Sequence, residues 1–472
     1  MKKKFYITTT LPYINADPHI GFGREIVQAD AVARFWRSQG YDVFFNTGTD
    51  EHGLKLFRKA QELGLTPQEY CDQKVESYKK LKEILNIEWD NFVRTTDKNH
   101  IKDAQEFWKR CESAGDIYKK NYKIKYCVGC ELEKTESELV NGCCPLHPDQ
   151  ELEVIDEENY FFRFSKYQKQ LLDLYEKNPE FVIPKSRFNE VKRFVEGGLK
   201  DFSISRLKSK MSWGVEVPGD PNQVMYVWFD ALVNYIASVG WPDNTEEFEK
   251  WWPVIQLCGK DNLRQQAAMW QAMLMSAKIP SSKQIFVNGF VNVAGQKMSK
   301  SLGNVISPLE LSEKFGTDGA RYLLLTCGGL FGEDADVTWE RVVEKYNADL
   351  ANGIGNLVSR VVKLMPKVGD LGNQGDQGNL KNWGDFFEKI ELNEALSEIW
   401  KIVREDDKFI EENKPWELKK NDEKKFGEVM GKLVSDLDLI SKLLVPFMPE
   451  TSEKIKKALE EKKTEILFPR VN

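Results

Sequence analysis

Phe5-Tyr6-Ile7-Thr8-Thr9-Thr10 runs into Leu11-Pro12-Tyr13-Ile14-Asn15-Ala16-Asp17-Pro18-His19-Ile20-Gly21-Phe22-Gly23, and a segment from Arg24 to Gln39 follows, closed by Gly40. The first run is β-branched and aromatic, as a buried strand requires. Ile26, Val27, Val32, Phe35 and Trp36 recur at helical spacing in the last segment. Between them, small residues let the backbone and a helix N-terminus approach an anion closely, so a phosphate fits beside His19, Gly21 and Gly23. Asp42-Val43-Phe44-Phe45-Asn46 reads as a second strand. Strand, helix and strand in that order imply an α/β fold with a doubly wound parallel sheet. Ligands of such sheets bind beyond the carboxyl ends of the strands, so Thr47-Gly48-Thr49-Asp50-Glu51-His52-Gly53 is expected to face the same crevice as His19. Taken alone, the first is more often a plain turn, and the second is better explained as an Asp/Gly turn with a surface histidine.

At 472 residues and 41% hydrophobic, the chain is long enough for two to four domains with sizeable cores. A net charge of −7 is not the footprint of a globally basic nucleic-acid binder, so any RNA contact must use local patches. The basic start, Met1 to Lys4, precedes a run too short and polar for a signal peptide, and no apolar stretch reaches membrane-spanning length. The expectation is a cytoplasmic protein without membrane contact. Its eight cysteines are then reduced, with Cys71, Cys111, Cys258 and Cys327 in periodic segments as core residues. Of four histidines, only His100 lies in no motif.

Thr66-Pro67-Gln68-Glu69 is a capping box opening a helix through about Leu85, and another helix spans about His100 to Ala114. Residues 1–115 are therefore the first half of the sheet domain. Strand–helix alternation stops at 116 and resumes near Met225-Tyr226-Val227-Trp228, which marks 116–225 as an insertion. Within it, Cys127-Val128-Gly129-Cys130 is followed by Cys144-Pro145-Leu146-His147, two facing pairs of the type that hold zinc tetrahedrally. Buried thiols or a redox pair would explain one Cys-x-x-Cys but not the second pair, and Cys143 is an alternative to Cys144. Residues 226–341 return to the sheet: a helix begins at Trp228, Val254 to Cys258 is a strand entering Gly259-Lys260-Asp261, and Gln284 to Val293 is another. That last strand leads to Lys297-Met298-Ser299-Lys300-Ser301, whose lysines and hydroxyls suit a polyphosphate, and Ser307-Pro308-Leu309-Glu310 restarts helix. From 342 to 472 only helical periodicity remains, broken by the Gly/Asn/Gln-rich stretch Gly369 to Gly378, as in a helical bundle.

The turn around His19 and the loop Lys297 to Ser301, in this order, resemble the two signatures of class I aminoacyl-tRNA synthetases. The resemblance covers essentially the whole chain and is strongest to the methionine-specific group, through Leu11-Pro12-Tyr13, Gly48 to Gly53, Tyr226-Val227-Trp228-Phe229-Asp230-Ala231, Gly259-Lys260-Asp261, Asn356-Leu357-Val358-Ser359-Arg360 and Lys414-Pro415-Trp416. It implies a Rossmann-like catalytic domain with a zinc-binding insert and a C-terminal α-helical anticodon-binding domain. It further implies activation of methionine with ATP and Mg²⁺, followed by transfer to tRNA(Met). By the same resemblance His19, Lys297 and Lys300 are catalytic, and with Gly21, Gly23 and Ser299 they bind ATP. Asp50 holds the methionine ammonium; Leu11, Tyr13, Trp228, Ala231, Leu232, Tyr235, Gln266 and Trp270 line the side-chain pocket. Asn356, Arg360 and Trp416 match anticodon readers, and Cys127, Cys130, Cys144 and His147 match ligands of one structural zinc. A monomer is expected, since the added C-terminal dimerisation domain of some relatives is not seen here.

Two departures from the family pattern stand out. The second histidine of the first signature is Phe22, which has no donor for phosphate, and Gln265-Gln266 replaces an aromatic–histidine pair near the methionine sulfur. They leave open a catalytically weakened tRNA-binding homologue, or another class I specificity.

Overall fold

The computed structural model of the chain describes residues 2–134, 138–298, 305–365 and 383–472. It falls into two compact units, the first built from Met1–Pro18, Asp42–Lys80 and Trp89–Gly289, the second from His19–Tyr41, Leu81–Glu88 and Phe290–Asn472.

The strands of the first unit are, in chain order, β1 (Lys4–Thr8), β2 (Asp42–Thr49), β3 (Asn91–Arg94), β4 (Ile117–Cys127), β5 (Leu132–Lys134), β6 (Glu153–Phe162), β7 (Val182–Ile183), β8 (Phe202–Ser203), β9 (Ser205–Leu207), β10 (Glu216–Val217), β11 (Asp220–Met225), β12 (Ile255–Gly259) and β13 (Gln284–Asn288). Six of them make a wholly parallel sheet in the order β3-β2-β1-β12-β13-β7. Ile7 in β1 lies level with Phe45 on one side and Ile255 on the other, and all three are buried. Burial on both faces is the reason Phe5-Tyr6-Ile7 and Ile285-Phe286-Val287 read as continuous apolar runs instead of alternating. Strand order reverses between β1 and β12, and this switch point is where a doubly wound sheet opens a crevice for ligand.

The stretch 116–225 is mostly a different structure. Here β4 and β6 form a long antiparallel pair, with Ile117 opposite Phe162 at one end and Tyr126 opposite Glu153 at the other, inside a four-stranded sheet β5-β4-β6-β8. A second antiparallel sheet has the order β10-β11-β9. One element departs from the expected insertion: β7 pairs parallel with β13 and extends the main sheet. Two residues are too few for any periodicity to show.

In the second unit the expected Arg24 helix begins earlier, at Ile20, and runs to Ser38. The His19 side chain caps it, so the glycine-rich turn supplies its first turn. The Thr66 and Ser307 capping boxes are both formed. Two segments expected to be continuous are broken where the chain changes unit: the helix from Pro67 ends at Lys79 before a separate turn Leu81–Ile84, and β13 stops before β14 (Val291–Val293). With β15 (Gln296–Lys297) and β16 (Ala335–Val337), β14 forms a small sheet of order β15-β14-β16.

Arg321, fully buried on the helix Pro308–Cys327, stitches the three segments of this unit. It pairs with Asp30 at 2.7 Å and donates to the carbonyls of Leu85, Pro446 and Phe447. The helices Gly355–Leu364, Leu392–Asn413, Glu423–Leu444 and Pro449–Glu461 make the expected bundle. The Gly369–Gly378 stretch lies outside the described residues. Among the described residues, no helix is long and apolar enough to cross a membrane.

Candidate active site and metal centre

In the first unit the loop after β2 returns to the segment after β1: Asp50 donates its backbone N–H to the Pro12 carbonyl at 3.0 Å, and Tyr13 and Asp50 form a one-residue parallel bridge. The Asp50 side chain is thereby buried, and its Oδ1 has no hydrogen-bond partner among the described residues. Burial, and after it the nearby Asp230 carboxylate, pushes its carboxyl well above the usual range. A buried carboxylate with an oxygen unused is a place for a cation that brings its own donors. The Tyr13 hydroxyl and the Trp228 Nε1 are likewise buried without partners. These two rings meet edge to face, their centroids 6.2 Å apart.

Trp228, Leu232, Tyr235 and Trp270 belong to one apolar cluster, with Tyr13 packed against it. Tyr235 and Trp270 stand 6.2 Å apart at 61°. Leu11 and Ala231 are also buried, and Gln266 is fully buried with its Nε2 donating to the Tyr235 hydroxyl at 2.8 Å. The aromatic run expected to begin one helix is instead two short pieces, Val227–Ala231 and Asn234–Ala237. Gln265–Met269 is a π-helical turn, an irregularity that concentrates at functional sites. A flexible thioether suits such an aromatic pocket.

One constellation escaped the sequence reading. Asp230 lies between His52 Nδ1 at 3.0 Å and His100 Nε2 at 3.2 Å, all three buried. Burial alone would raise the Asp230 carboxyl, but the two histidines hold it below its ordinary value. Beside it, Glu51 accepts from Thr49 and Thr96 and takes Arg94 in a two-point pair at 2.7 and 2.8 Å. These contacts fix the loop that carries Asp50. The usable signal was His100 itself: a histidine on the inner face of a helix needs a polar partner, and Asp230 was the acid in an otherwise apolar run.

In the second unit, His19 precedes the Ile20–Ser38 helix with Nδ1 accepting from the Gly21 N–H at 3.0 Å. The ring is exposed. A Cβ on Gly21 would lie 2.8 Å from the His19 ring, so the glycine lets the imidazole fold over the helix end. At Gly23 a Cβ would meet Pro308 at 2.8 Å, so this glycine also allows close packing between two helices. Phe22 is buried. Ser299 and Lys300 lie outside the described residues, as does the side chain of Lys297, whose backbone is in β15.

Cys127 closes β4, and Cys130 comes three residues later. Opposite them, His147 donates its backbone N–H to the Cys144 carbonyl, turning both side chains to one side. The Cys130 and Cys144 sulfurs are 3.4 Å apart, and His147 Nδ1 is 3.2 Å from Cys130 Sγ and 3.7 Å from Cys127 Sγ. All four donor atoms lie within 4.8 Å of one another. Gly129 allows this, because a Cβ there would sit 2.5 Å from the His147 ring. Cys143 is not in the group. The Cys130 thiol hydrogen-bonded to Cys127 drives the Cys127 thiol down to about 3, and the same contact holds Cys130 up. A dication removes that opposition by taking both as thiolates. Three sulfurs and one imidazole fit a metal of zinc type.

Among the helices of the second unit, Asn356 and Arg360 are one turn apart on Gly355–Leu364. Asn356 lines an open cavity of about 510 Å³ with Asn352, Ser359, Phe468 and Arg470, whereas Arg360 is paired with Glu411 at 2.5 Å. Trp416, on the short helix Pro415–Asn421, is 40% exposed, so it is not a plug at a helix start.

Residues 5–151 and 148–362 match the family described as tRNA synthetases class I (M), and 370–470 match the anticodon binding domain of methionyl tRNA ligase. The chain is 42% identical to the methionine–tRNA ligase of Thermotoga maritima over 96% of its own length and 74% of that protein. It is 42% identical to that of Synechocystis over 96% and 88%. The solved structure of Mycobacterium tuberculosis methionyl-tRNA synthetase in complex with methionyl-adenylate superposes with a TM-score of 0.89 at 36% identity, covering 99% of this chain and 98% of that one. With matches of this extent running through sheet, insert and bundle alike, the chain belongs to the methionyl group of the class I tRNA synthetases.

Proposed function

We propose that the chain is a methionine–tRNA ligase, joining methionine to ATP as the adenylate and passing it to the 3′ end of tRNA(Met). The observation that carries this reading is the buried Asp50 carboxylate, with one oxygen unpartnered, next to the Tyr13–Trp228 and Tyr235–Trp270 pairs. An ammonium group supplies the missing donors, and the aromatic pairs suit a thioether.

The methionine carboxylate attacks the α-phosphorus of ATP and pyrophosphate leaves, so the protein supplies no nucleophile. Its work is positioning and charge balance. Asp50 holds the ammonium and sets where the carboxylate lies. His19 and the N–H groups opening the Ile20–Ser38 helix serve the α-phosphate, while Lys297 and Lys300 offset charge on the leaving pyrophosphate, a load shared by Mg²⁺ entering with ATP. The terminal adenosine hydroxyl of tRNA then attacks the adenylate carbonyl and releases AMP. Asn356, Arg360 and Trp416 read the anticodon by edge hydrogen bonds and stacking.

Cys127, Cys130, Cys144 and His147 hold one zinc, which is structural because four protein ligands leave no open position. The working parts are a catalytic domain at 1–115 and 226–341, a zinc-bearing insert at 116–225 and an anticodon domain at 342–472, acting as a cytoplasmic monomer. Methionine-dependent ATP–pyrophosphate exchange tests the reading. Brisk exchange with methionine and none with the other amino acids supports it; tRNA binding without exchange would make the chain a weakened homologue, and exchange with another amino acid would reassign its substrate.

A further inference from the structure

Two side chains of the insert reach across to the loop that carries Asp50, all within the first unit. Glu131, between Cys130 and β5, is buried, and its Oε1 accepts from the Lys55 N–H at 2.8 Å. Lys55 lies in the first turn of the helix Leu54–Glu62, whose N-cap, Gly53, has no side chain to satisfy those amides. The carboxylate therefore caps the helix from a distant stretch of chain, at an end where free N–H groups and the helix dipole both favour an anion. Gly53 permits the approach: its φ is 108°, and a Cβ there would lie 3.1 Å from Glu131 Oε1. Glu131 itself stands at φ 53°, in the left-handed region, so its carboxylate is held there at a backbone cost that glycine would avoid.

The other bonds of Glu131 run to the aromatic side of the pocket. Its Oε2 accepts from the Tyr126 hydroxyl, and its carbonyl accepts from the hydroxyl of Tyr226, the residue before the Val227–Ala231 helix that carries Trp228. The Arg206 guanidinium lies over both tyrosine rings, 5.0 Å from the Tyr126 centroid and 5.1 Å from that of Tyr226. The second side chain is Trp213. Its Nε1 donates to the Glu51 carbonyl at 2.6 Å, and its ring meets that of His52 edge to face at 5.4 Å. The chain just after Asp50 is thus gripped by the insert at Glu51 and again at Lys55.

We propose that Glu131 and Trp213 are positioning residues through which the insert sets where the Asp50 carboxylate meets the amino-acid ammonium. This rests on the reading of Asp50 as the partner of that ammonium. Each acts through the backbone that carries Asp50, and Glu131 in addition ties that backbone to the segment leading into Trp228. The same helix is held to the insert a turn further on, where Arg58 forms a two-point pair with Glu153 of β6. That pair is exposed, so the buried cap and the indole bond are the contacts that weigh most.

The test measures KM for methionine and for ATP in pyrophosphate exchange with the full chain. Trp213→Phe keeps a ring against His52 and removes the N–H; Glu131→Ala removes the cap; Glu131→Gln keeps an oxygen for the Lys55 N–H. Trp213→Phe and Glu131→Ala are each expected to raise methionine KM roughly three- to tenfold, the scale of one hydrogen bond, with kcat and the ATP KM little changed. Glu131→Gln should recover most of that loss. Amide hydrogen exchange without substrate should quicken over residues 50–57 in the first two variants and stay as in wild type over β12 and β13. Zinc content, measured because Glu131 adjoins Cys130, should be unchanged. Thermal denaturation checks folding, and Trp213→Phe, the smaller change, carries the test if Glu131→Ala does not fold. Methionine and ATP KM rising together, wild-type hydrogen exchange over 50–57, or a methionine effect seen only with loss of zinc would overturn the proposal. Failure of the Asp50 reading looks different: Asp50→Asn would then leave methionine KM unchanged, whereas failure of this proposal alone leaves it raised in Asp50→Asn and at the wild-type value in Trp213→Phe and Glu131→Ala.

Discussion

Asp50 and His19 carry opposite burdens. In the ligand-free chain the Asp50 carboxyl is pushed up by burial, so folding favours its protonated form. The stability this gives is complete below the carboxylate value of the unfolded chain and is lost as pH rises through the folded value. Denaturant midpoints measured against pH should show that loss in wild type and not in Asp50→Asn, while the same variant raises methionine KM roughly a hundredfold by removing a charged partner. Parallel pH profiles for the two proteins would contradict it. His19 is exposed and caps its own helix through Nδ1, so His19→Ala loses a cap and, on the proposed mechanism, a phosphate donor. A drop of roughly 10²–10³ in adenylation rate is expected together with about 1 kcal/mol of stability. His19→Asn separates the two, since asparagine caps well: the rate should fall as far with the stability retained, and Phe22→His should restore little in either background. An alanine variant as fast as wild type would remove His19 from the mechanism. Both residues stood out in the sequence through the family resemblance of their motifs, since either turn alone reads as an ordinary turn. Asp230 and His100 did not, because their partnership spans 130 positions and only the fold brings them together.

On the proposed metal reading, the 127–147 part of the insert is the element whose integrity would depend on one ion. The four candidate ligands come from a short stretch around a three-residue strand, β5, and the loop beyond it, with little apolar burial of their own; on the proposed reading, thiolate–zinc bonds would hold what hydrophobic area cannot. Cys127→Ser should release metal, measured by a chromogenic chelator, and expose the 127–147 region to hydrogen exchange before the main sheet. Freshly purified protein without zinc would refute the assignment, as would Cys143→Ser releasing metal where Cys144→Ser does not. The parallel sheet, the capping boxes and the bundle were legible, since apolar runs, Thr66–Glu69, Ser307–Glu310 and helical spacing are local signals. The edge strand β7 and the ends of the helix at Lys79 and of β13 at Asn288 were not. The last two are decided by which unit the chain joins next and β7 by a partner strand far along the chain, and no local residue reports either.

At the scale of the whole molecule, the proposed anticodon reader Trp416 and the proposed methionine pocket lie on different stretches of chain. Trp416 belongs to the second unit and is half open to solvent, whereas the Asp50 pocket lies in the first. Trp416→Ala should therefore raise the tRNA KM by about 1–3 kcal/mol, the worth of a stacked base, with exchange and stability untouched. Aminoacylation kinetics beside exchange in the same preparation decide it: equal loss in both would return Trp416 to a structural role in the bundle.

The pairing of Ile7 with Ile255 has a consequence for how the protein is made. A ribosome must add 255 − 7 = 248 residues before β1 can meet its second neighbour. At about 5–20 residues per second that is roughly 12–50 s. Throughout that interval β1 and β2 can pair with each other while the far edge of β1, apolar and unpaired, stays open to other chains. The antiparallel β4–β6 hairpin closes over a much shorter loop, so the insert can form first, on a nascent chain whose parallel sheet is still half built. For about that interval the first strand of the catalytic sheet is the segment of the nascent chain that lacks its second partner.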